Sequence, residues 1–520
     1  MTSQDPRALS PELRTETLAK LASMPAGELD MIIIGAGITG AGVALDAVTR
    51  GLKVAIIEKE DIAFGTSRWS SKLAHGGLRY LAKMELGIAH SSAVERGILL
   101  EETAPHLVHS IAQVVPLNDA ATTIQQGASR VGFIGGDLLR MAAGTSGDIL
   151  PHSHYQSVSK TLEMCPGVSR DGLKGSWVFY DGQMIDDARV VTCAIRTAAE
   201  KGCLVLTHAA CSDVTGTSVT VTDQLGGKSF TLSAKSVVSA TGVWAGHIDN
   251  EIKLRPARGT HLVIDAAKMG NPTGQLTVPL PGSISRYLFA IPEQLGRIYL
   301  GLTDEETRGE IVDVPPTPEE DIDFLLKNFN SALEVKLTRD DVIGAFTGYR
   351  PLIDSGEGGS TSDLSRRHAI IEAKNGLISI VGGKFTEYRL MAEETVDEVV
   401  KRRHLSAGPC ITRTTPFIGA PKHSASAGVS KADLDKLPAS LVARFGHEAP
   451  NVVASCPVER PLEQVAGMDI TRAEFAYAVT HEGAMTVDDI LDRRTRVGLV
   501  KKDRDAALPT AQEMIDTLVK

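Results

Sequence analysis

The chain has 520 residues, 42% hydrophobic and 23% charged, a globular balance that excludes a mostly disordered, collagen-like or coiled-coil protein and, at about 100–200 residues per domain, leaves room for two to four folding units. Its 54 Lys and Arg stand against 64 Asp and Glu, for a net charge of −10, which excludes a whole-protein electrostatic footprint for nucleic acid or anionic lipid. Aromatic residues are 4% of the chain, too few for the stacking platform of a single-strand nucleic-acid binder.

The polar leader from Met1 to Leu21 lacks the apolar run of about 7–15 residues that a secretory signal needs, so the protein is expected in the cytoplasm. Met31-Ile-Ile-Ile34 is a short β-branched run ending in glycine, Gly42 to Arg50 has helical composition, and Lys53 to Ile57 is a second apolar run ending at Glu58. This is a strand, helix and strand of a parallel sheet. Met31 to Val48 is no membrane span, because its glycines, Thr39 and Asp46 interrupt the ~20 apolar residues a span requires. Residues 66–100 are rich in Ser, Gly, Lys and Arg before turning helical, and residues 117–150 carry too little periodicity to assign.

Asp187 to Lys201 reads as a helix whose first-turn acids complement its dipole, followed by a strand at 204–206. Residues 217–222 and 229–232 form a hairpin around Gly226-Gly227, and the buried run 236–240 ends in Thr241-Gly242. From about 255 to 350 the pattern becomes antiparallel strands, at 261–264, 287–291 and 298–302, with one helix near 318–333. Leu377 to Val381 is another buried strand before Gly382-Gly383 and a helix starting near Thr386. Beyond Pro409 the chain turns helical, with capping-box starts at Thr471-x-x-Glu474 and Thr486-x-x-Asp489. Cys165, Cys193, Cys203, Cys211, Cys410 and Cys456 form no C-x-x-C pair and no zinc-like cluster, and are expected reduced and mostly buried, with no metal.

Gly35-Ala-Gly37-Ile-Thr-Gly40-Ala-Gly42 fits the G-x-G-x-x-G turn of a dinucleotide site, and Glu58 follows at the end of the next strand, where it would accept from ribose hydroxyls. Gly35 makes the turn, Gly37 admits a pyrophosphate, Gly40 lets helix and strand pack, and the helix N–H groups face the phosphates. These features do not separate NAD from FAD. Ala240-Thr241-Gly242, with Trp244 and Gly246 behind it, resembles the second dinucleotide contact of FAD enzymes of the glutathione-reductase and D-amino-acid-oxidase superfamily, and Thr66-Ser67-Arg68-Trp69-Ser70-Ser71 resembles that superfamily's loop over the flavin pyrophosphate.

Three further blocks are more specific: Ser70-Ser-Lys-Leu-Ala-His75-Gly-Gly-Leu-Arg79-Tyr80-Leu81, Gly348-Tyr-Arg350-Pro-Leu352, and Gly382-Gly-Lys384-Phe-Thr386-Glu-Tyr-Arg389. They resemble the signature blocks of FAD-dependent, respiratory glycerol-3-phosphate dehydrogenases, in order and spacing from about residue 30 to 400. Two departures stand out. Phe385-Thr386-Glu387 replaces the Leu-Thr-Thr of many members, a change expected to lie behind the pocket, and Ala36 stands where some members have glycine.

The resemblance implies an α/β fold: an FAD-binding doubly wound domain of the glutathione-reductase/D-amino-acid-oxidase type, an antiparallel-sheet substrate domain and a C-terminal helical domain. The expected boundaries are a discontinuous FAD-binding domain over about 28–115, 170–254 and 340–400, substrate insertions at about 116–169 and 255–339, and a helical domain over 401–520. It further implies oxidation of sn-glycerol 3-phosphate to dihydroxyacetone phosphate, electron transfer to a membrane quinone pool, and monotopic attachment to the inner face of the membrane. No nucleic-acid partner is expected, and the sequence leaves a homodimer open. His75, Arg79, Tyr80, Arg350 and Lys384 would line the substrate pocket, with His75, Arg350 and Lys384 catalytic. His75 is the natural acceptor of the hydroxyl proton, Arg350 could instead stabilise the alkoxide, and sequence does not choose between them. Lys384 precedes a helix start, where an anion such as the reduced flavin edge is favoured. The implied FAD contacts are Gly35, Gly37, Gly40, Gly42, Glu58, Thr66, Ser67, Ser70, Ser71, Ala240, Thr241, Gly242, Gly382, Gly383, Lys384 and Thr386. Three other readings are weighed beside this one: an oxidase passing electrons to oxygen, an amine or amino-acid oxidase of the same fold, and a non-catalytic flavin-binding scaffold.

Overall fold

The computed structural model describes residues 5, 7–82, 84–119, 121–283, 286–307, 309–354 and 367–519, apart from the side chains of Arg79 and Ala82. Its helices, in chain order, are α1 (Pro11–Ala22), α2 (Ile38–Thr49), α3 (Leu78–Ala82), α4 (Leu86–Ile98), α5 (Thr123–Ala142), α6 (Val158–Met164), α7 (Asp187–Glu200), α8 (Ala245–Ile248), α9 (Glu319–Asn330) and α10 (Tyr388–Arg403). The C-terminal part adds α11 (Lys431–Leu434), α12 (Ala439–Phe445), α13 (Ala449–Ala454), α14 (Arg472–Thr480) and α15 (Lys501–Leu518).

The run Leu29–Ile34 is almost wholly apolar because it lies at the centre of a parallel row, buried on both faces. Its neighbours are Val54–Ile57 and Ser229–Ser239, and the row continues to Leu204–Leu206 on one side and Ile378–Gly382 on the other. His368–Glu372 adds an antiparallel edge. The hairpin and the buried run at 236–240 prove to be one element, since Ser229–Ser239 leaves its hairpin with Ser218–Asp223 and runs straight into the row. Helices α2, α7 and α10 share one face of this sheet and bury Val43, Ala44, Val191, Ile195, Ala392 and Val396 there.

The second sheet has the strand order Glu305–Glu306, Ala257–Asp265, Arg297–Gly301, Tyr287–Glu293, Gln275–Pro279, Val108–Pro116, Ser176–Met184 and Leu73–Ala74. Val342–Arg350 pairs with Ala257–Asp265, and His154–Gln156 with Ser176–Met184. All pairs are antiparallel except Gln275–Pro279 beside Val108–Pro116. Leu325, Leu326 and Phe329 of α9 cover one side. The sheet crosses the boundaries drawn from sequence: Leu73–Ala74, Val108–Pro116, Ser176–Met184 and Val342–Arg350 all come from segments expected in the dinucleotide frame. The sequence reading singled out none of these four as strands, and which sheet each joins is fixed by pairing with residues far away in the chain.

Within the unassigned stretch 117–150 lies α5, opened by a reciprocal cap between Thr122 and Gln125. Its pattern is the reverse of a core-facing helix, with Gln125, Ser129 and Arg140 buried and Ile124, Val131, Leu138 and Met141 exposed. At the C-terminus Thr471 and Glu474 form the expected capping box of α14. Thr486 and Asp489 also cap each other, yet Asp489–Arg494 continues as a π-type turn rather than an α-helix. All six cysteines are free.

The helical part is riveted to the first sheet by buried arginines: Arg189 to Glu482, Arg196 to Glu448, and Arg493 and Arg494 to Asp61. Among them His208 meets Asp489 at 3.0 Å. Burial pulls the His208 imidazole toward its neutral form, but the Asp489 carboxylate outweighs this and raises its pKa. A raised imidazole pKa stabilises the fold below the unfolded-state value and loses that contribution as pH rises through the folded-state value. Hence His208→Gln should lower stability by about 1.5–3 kcal/mol at pH 5.5, and thermal unfolding should find the gap from the parent closing toward pH 9. A gap independent of pH would contradict a charged His208.

Candidate functional site

One cleft of about 880 Å³ runs between the two sheets, within the size range of pockets that bury a cofactor. At one end the chain leaves Leu29–Ile34 at Gly35 and enters α2 with Gly37 as its cap. A Cβ on Gly40 would overlap the Gly35 carbonyl oxygen, so glycine is what lets α2 sit on the strand end. The Ala36 amide donates to Glu58 at 2.6 Å, and the Ile38 amide donates to Ser67 Oγ at 2.9 Å. Burial pushes the Glu58 carboxyl above the usual carboxylate range, against the bonds it accepts from the Ala36 and Glu60 amides. The Ala240 amide donates to the Ile34 carbonyl, bringing Ala240-Thr241-Gly242 against the Gly35 turn. Gly35, Gly37, Glu58, Thr66, Ser67, Ser70, Ser71, Ala240, Thr241 and Gly242 all line this part of the cleft.

Gly40 and Gly42, expected among the cofactor contacts, do not line it: both are buried in α2. Gly40 packs on the Gly35 turn, and a Cβ on Gly42 would come within 2.9 Å of Tyr388 on α10. Their role in this structure is close helix packing.

The far end is assembled on one face of α4. Ser92, Glu95 and Arg96 lie within one turn and are buried. Arg96 Nη1 donates to Asp181 at 2.8 Å, and Asp181 accepts from the Gly76 amide, which fixes the loop carrying His75. Glu95 receives Arg389 Nε at 2.8 Å and Nη2 at 2.7 Å. Ser92 Oγ accepts from Lys384 Nζ at 2.6 Å and donates to Glu387 Oε1 at 2.7 Å. Lys384 also pairs with Glu387 at 2.7 Å and sits 4.1 Å from the Tyr80 ring centre. Gly382 and Gly383 hold φ of +78° and +82°, and a Cβ on Gly383 would collide with Met391, so the turn before Lys384 needs both glycines. Arg350, at the end of Val342–Arg350, donates from Nη1 to Asp304 at 2.9 Å and to the Arg258 carbonyl at 3.2 Å. His75, Tyr80, Arg350, Gly382, Gly383, Lys384 and Thr386 line this end. Arg79 belongs to α3, and its side chain is outside the described residues.

Between the two ends the loop 66–72 is braced from behind. Lys72 is fully buried and donates to Asp187 at 2.7 Å and to the Arg68 carbonyl at 2.9 Å. Burial lowers its pKa, opposed by Asp187. Arg496 of the C-terminal part reaches the same Arg68 carbonyl at 2.7 Å and pairs with Asp186, the cap of α7. Asp187 holds Ser70 through its amide and hydroxyl, and Ser71 meets His261 Nε2 at 2.9 Å. His261 stacks on Phe346 and is held neutral by burial, its pKa brought down to about 3. Trp69 Nε1 and His261 Nδ1 are buried in cleft residues with no hydrogen-bond partner among the described residues, as expected where a polar ligand completes the wall.

Sequence reasoning did not single out Trp69, Ser92, Asp181, His261 or Asp304. Ser92, Asp181 and Asp304 lie outside every quoted block, and their contacts are between segments remote in the chain.

A family profile described as FAD dependent oxidoreductase matches residues 30–386, and one described as the C-terminal domain of alpha-glycerophosphate oxidase matches residues 410–520. The chain is 55% identical to glycerol-3-phosphate dehydrogenase 1 of Mycobacterium tuberculosis over 98% of both chains. It is 32% identical to the aerobic glycerol-3-phosphate dehydrogenase of Staphylococcus aureus, over 94% of this chain and 91% of that one. The crystal structure of the glycerol-3-phosphate dehydrogenase from Bacillus halodurans complexed with FAD superposes with a TM-score of 0.74 at 26% identity, covering 98% of this chain and 94% of the other.

Arg96→Leu strands the buried Asp181 carboxylate without its cation. Denaturant unfolding should show a loss of about 3–5 kcal/mol, against less than about 1 kcal/mol for Arg472→Leu, which removes a partly exposed pair with Glu513. Equal costs would show that α4 does not hold the His75 loop in this way.

Proposed function

The chain belongs to the FAD-dependent glycerol-3-phosphate dehydrogenase family, and we propose that it oxidises sn-glycerol 3-phosphate to dihydroxyacetone phosphate with FAD as cofactor and passes the electrons to a membrane quinone. The observation that carries the reading is the meeting of all three signature blocks in one cleft with the glycine turn at its other end. When bound, FAD supplies the two-electron acceptor for the hydrogen on C2 of the substrate.

The protein's own part is to hold the cofactor and substrate and to manage one proton. The Gly35-Ala-Gly37 turn and the first amides of α2 suit a pyrophosphate, and Glu58 suits the ribose hydroxyls. In the structure as it stands Ser67 and Glu58 occupy those amides, so binding exchanges these internal partners for cofactor oxygens. Arg350 and Lys384, joined by Arg79 on the motif's resemblance, grip the phosphomonoester, Arg through its planar fork and Lys as a point charge. His75, on the loop fixed through Gly76 and Asp181, takes the hydroxyl proton as C2 is oxidised.

Among the described residues no helix is long and apolar enough to cross a membrane, so access to a lipid-dissolved acceptor requires attachment from one side. The surface that supports this is α5. Its inner face, through Ala128, Ser129, Gly132 and Phe133, lines the cleft. Its outer face exposes Ile124 (75%), Val131 (71%), Leu138 (61%) and Met141 (58%), with Ile134 between them and Met84 and Leu86 beside them. None of the exposed residues of α5 is charged, while Arg130 and Asp137 turn aside onto Ser153. At 20 residues the helix is about 30 Å long, the form of an element lying in the plane of a lipid surface with its apolar side down. The occupant proposed for this face is the cytoplasmic leaflet of a bilayer.

Two measurements test the assignment. Arg350→Ala should keep its bound flavin but lose about ten- to hundredfold in kcat/KM for glycerol 3-phosphate, with Arg350→Lys recovering part of it. Glycerol, lacking the phosphate, should be a very poor substrate for the parent and lose little further; an equal fall for glycerol would mean that Arg350 acts on the hydroxyl or on folding. For the lipid face, Val131→Glu with Leu138→Glu should abolish co-sedimentation with phosphatidylcholine vesicles and quinone reductase activity while flavin reduction by substrate is unchanged. Undiminished vesicle binding would exclude α5 as the contact.

A further inference from the structure

Glu387 is a residue at which this chain departs from the Leu-Thr-Thr of many family members, and it stands behind the pocket as the sequence suggested: it is buried and does not line the cleft. It touches Lys384 directly. Lys384 Nζ lies 2.7 Å from Glu387 Oε1 and 2.6 Å from Ser92 Oγ, and Ser92 Oγ in turn donates to the same Glu387 oxygen at 2.7 Å. The three groups close a triangle. The Lys384 and Glu387 side chains are 5% and 8% exposed, so water screens the pair little. Both residues are fixed by backbone: Lys384 caps the 3-10 turn Phe385–Glu387, and Glu387 leads into α10. The triangle is therefore held by two helices, α4 through Ser92 and α10 through Glu387.

The Tyr80 ring, 4.1 Å from the ammonium, assigns Lys384 to the end of the cleft that holds the His75 block. A threonine, as in Leu-Thr-Thr, carries no charge, whereas here a carboxylate of opposite charge sits in contact with Lys384. The second cation of this end is compensated in the same way, since Arg350 pairs with Asp304 at 2.9 Å. Lys384 and Arg350 are thus both offered as ion pairs, geometrically fixed but reduced in net charge.

We propose that Glu387 is a positioning residue and an affinity brake for the phosphate subsite: with Ser92 it holds Lys384 in place and cancels part of its charge, so that the phosphate of substrate or product binds more weakly and leaves faster than it would over an unpaired lysine. This rests on the reading of Lys384 as a phosphate ligand. A brake of this kind favours turnover, because the product retains the phosphate and an uncompensated grip would hold it as firmly as the substrate. Binding energy that substrate and transition state share equally lowers KM without raising kcat.

The test uses the flavin-loaded enzyme and Glu387→Gln, which keeps an acceptor oxygen for Lys384 and Ser92 but removes the charge. Expected is a fall of about tenfold in the KM for glycerol 3-phosphate and in the inhibition constant of inorganic phosphate, together with a lower kcat from slower product release. Glu387→Asp, which restores the charge, should return both constants toward the parent values. Flavin content should stay at the parental level while phosphate binding tightens, whereas a merely structural loss would weaken both. The proposal is overturned if phosphate inhibition and KM are unchanged, if they weaken, or if the flavin midpoint potential rises while phosphate inhibition stays the same, which would make Lys384 a flavin ligand. Failure of the underlying reading looks different: the parent enzyme itself would then show no competition between inorganic phosphate and glycerol 3-phosphate.

Discussion

A single turn of α4 fixes the substrate end of this molecule. Ser92, Glu95 and Arg96 are consecutive on one helical face and each is buried against a different segment: Lys384 with Glu387, Arg389, and Asp181 with Gly76. Burying three polar residues in one turn is unfavourable unless every partner is in place. That condition makes the turn a template, because the helix cannot pack unless the His75 loop and the Gly382-Gly383-Lys384 turn arrive together. The first and third signature blocks stand about three hundred positions apart in the chain, and α4 is where their geometry is decided.

The other half of the cleft depends on a similar device seen from behind. The Arg68 carbonyl receives both Lys72, which is itself anchored to Asp187 of α7, and Arg496, so the loop bearing Thr66, Ser67, Ser70 and Ser71 is pinned by α7 and by the C-terminal part at once. The helical part is therefore tied to a loop of the cofactor end of the cleft as well as to Asp61. Glycine completes the arrangement where backbone must touch backbone, as at Gly40 against Gly35. The result is a cleft whose walls come from both sheets and whose rim carries α5, a helix apolar on its outer side and facing the cleft on its inner side.

The parts legible in the sequence were those with local causes. The apolar run 31–34, the glycine turn and Glu58 announce themselves within thirty residues, and the capping box at Thr471 with Glu474 is a four-residue signal. The signature blocks gave the family because short strings of unusual composition are rare by chance. What escaped has a common reason. Whether Val108–Pro116 joins one sheet or the other depends on its partner Ser176–Met184, about seventy positions on; α5 turns its apolar residues outward and Gln125, Ser129 and Arg140 inward, the reverse of the pattern that marks a core helix; and Ser92 and Asp304 have nothing in their neighbourhood to mark them. Glu387 is the instructive case, since the sequence exposed it as a departure but not its meaning, which lies in a contact of 2.7 Å with Lys384.

The account stands on the two ends of the cleft serving one reaction. The direct measurement is the visible spectrum of the purified flavin-loaded protein, titrated without oxygen, first with glycerol and then with sn-glycerol 3-phosphate. The account predicts that glycerol leaves the flavin bands nearly untouched at the same concentrations at which glycerol 3-phosphate bleaches them, with dihydroxyacetone phosphate formed in equal amount to the flavin reduced. Bleaching that does not depend on the phosphate, or a protein that carries flavin and does not bleach with either compound, would contradict it.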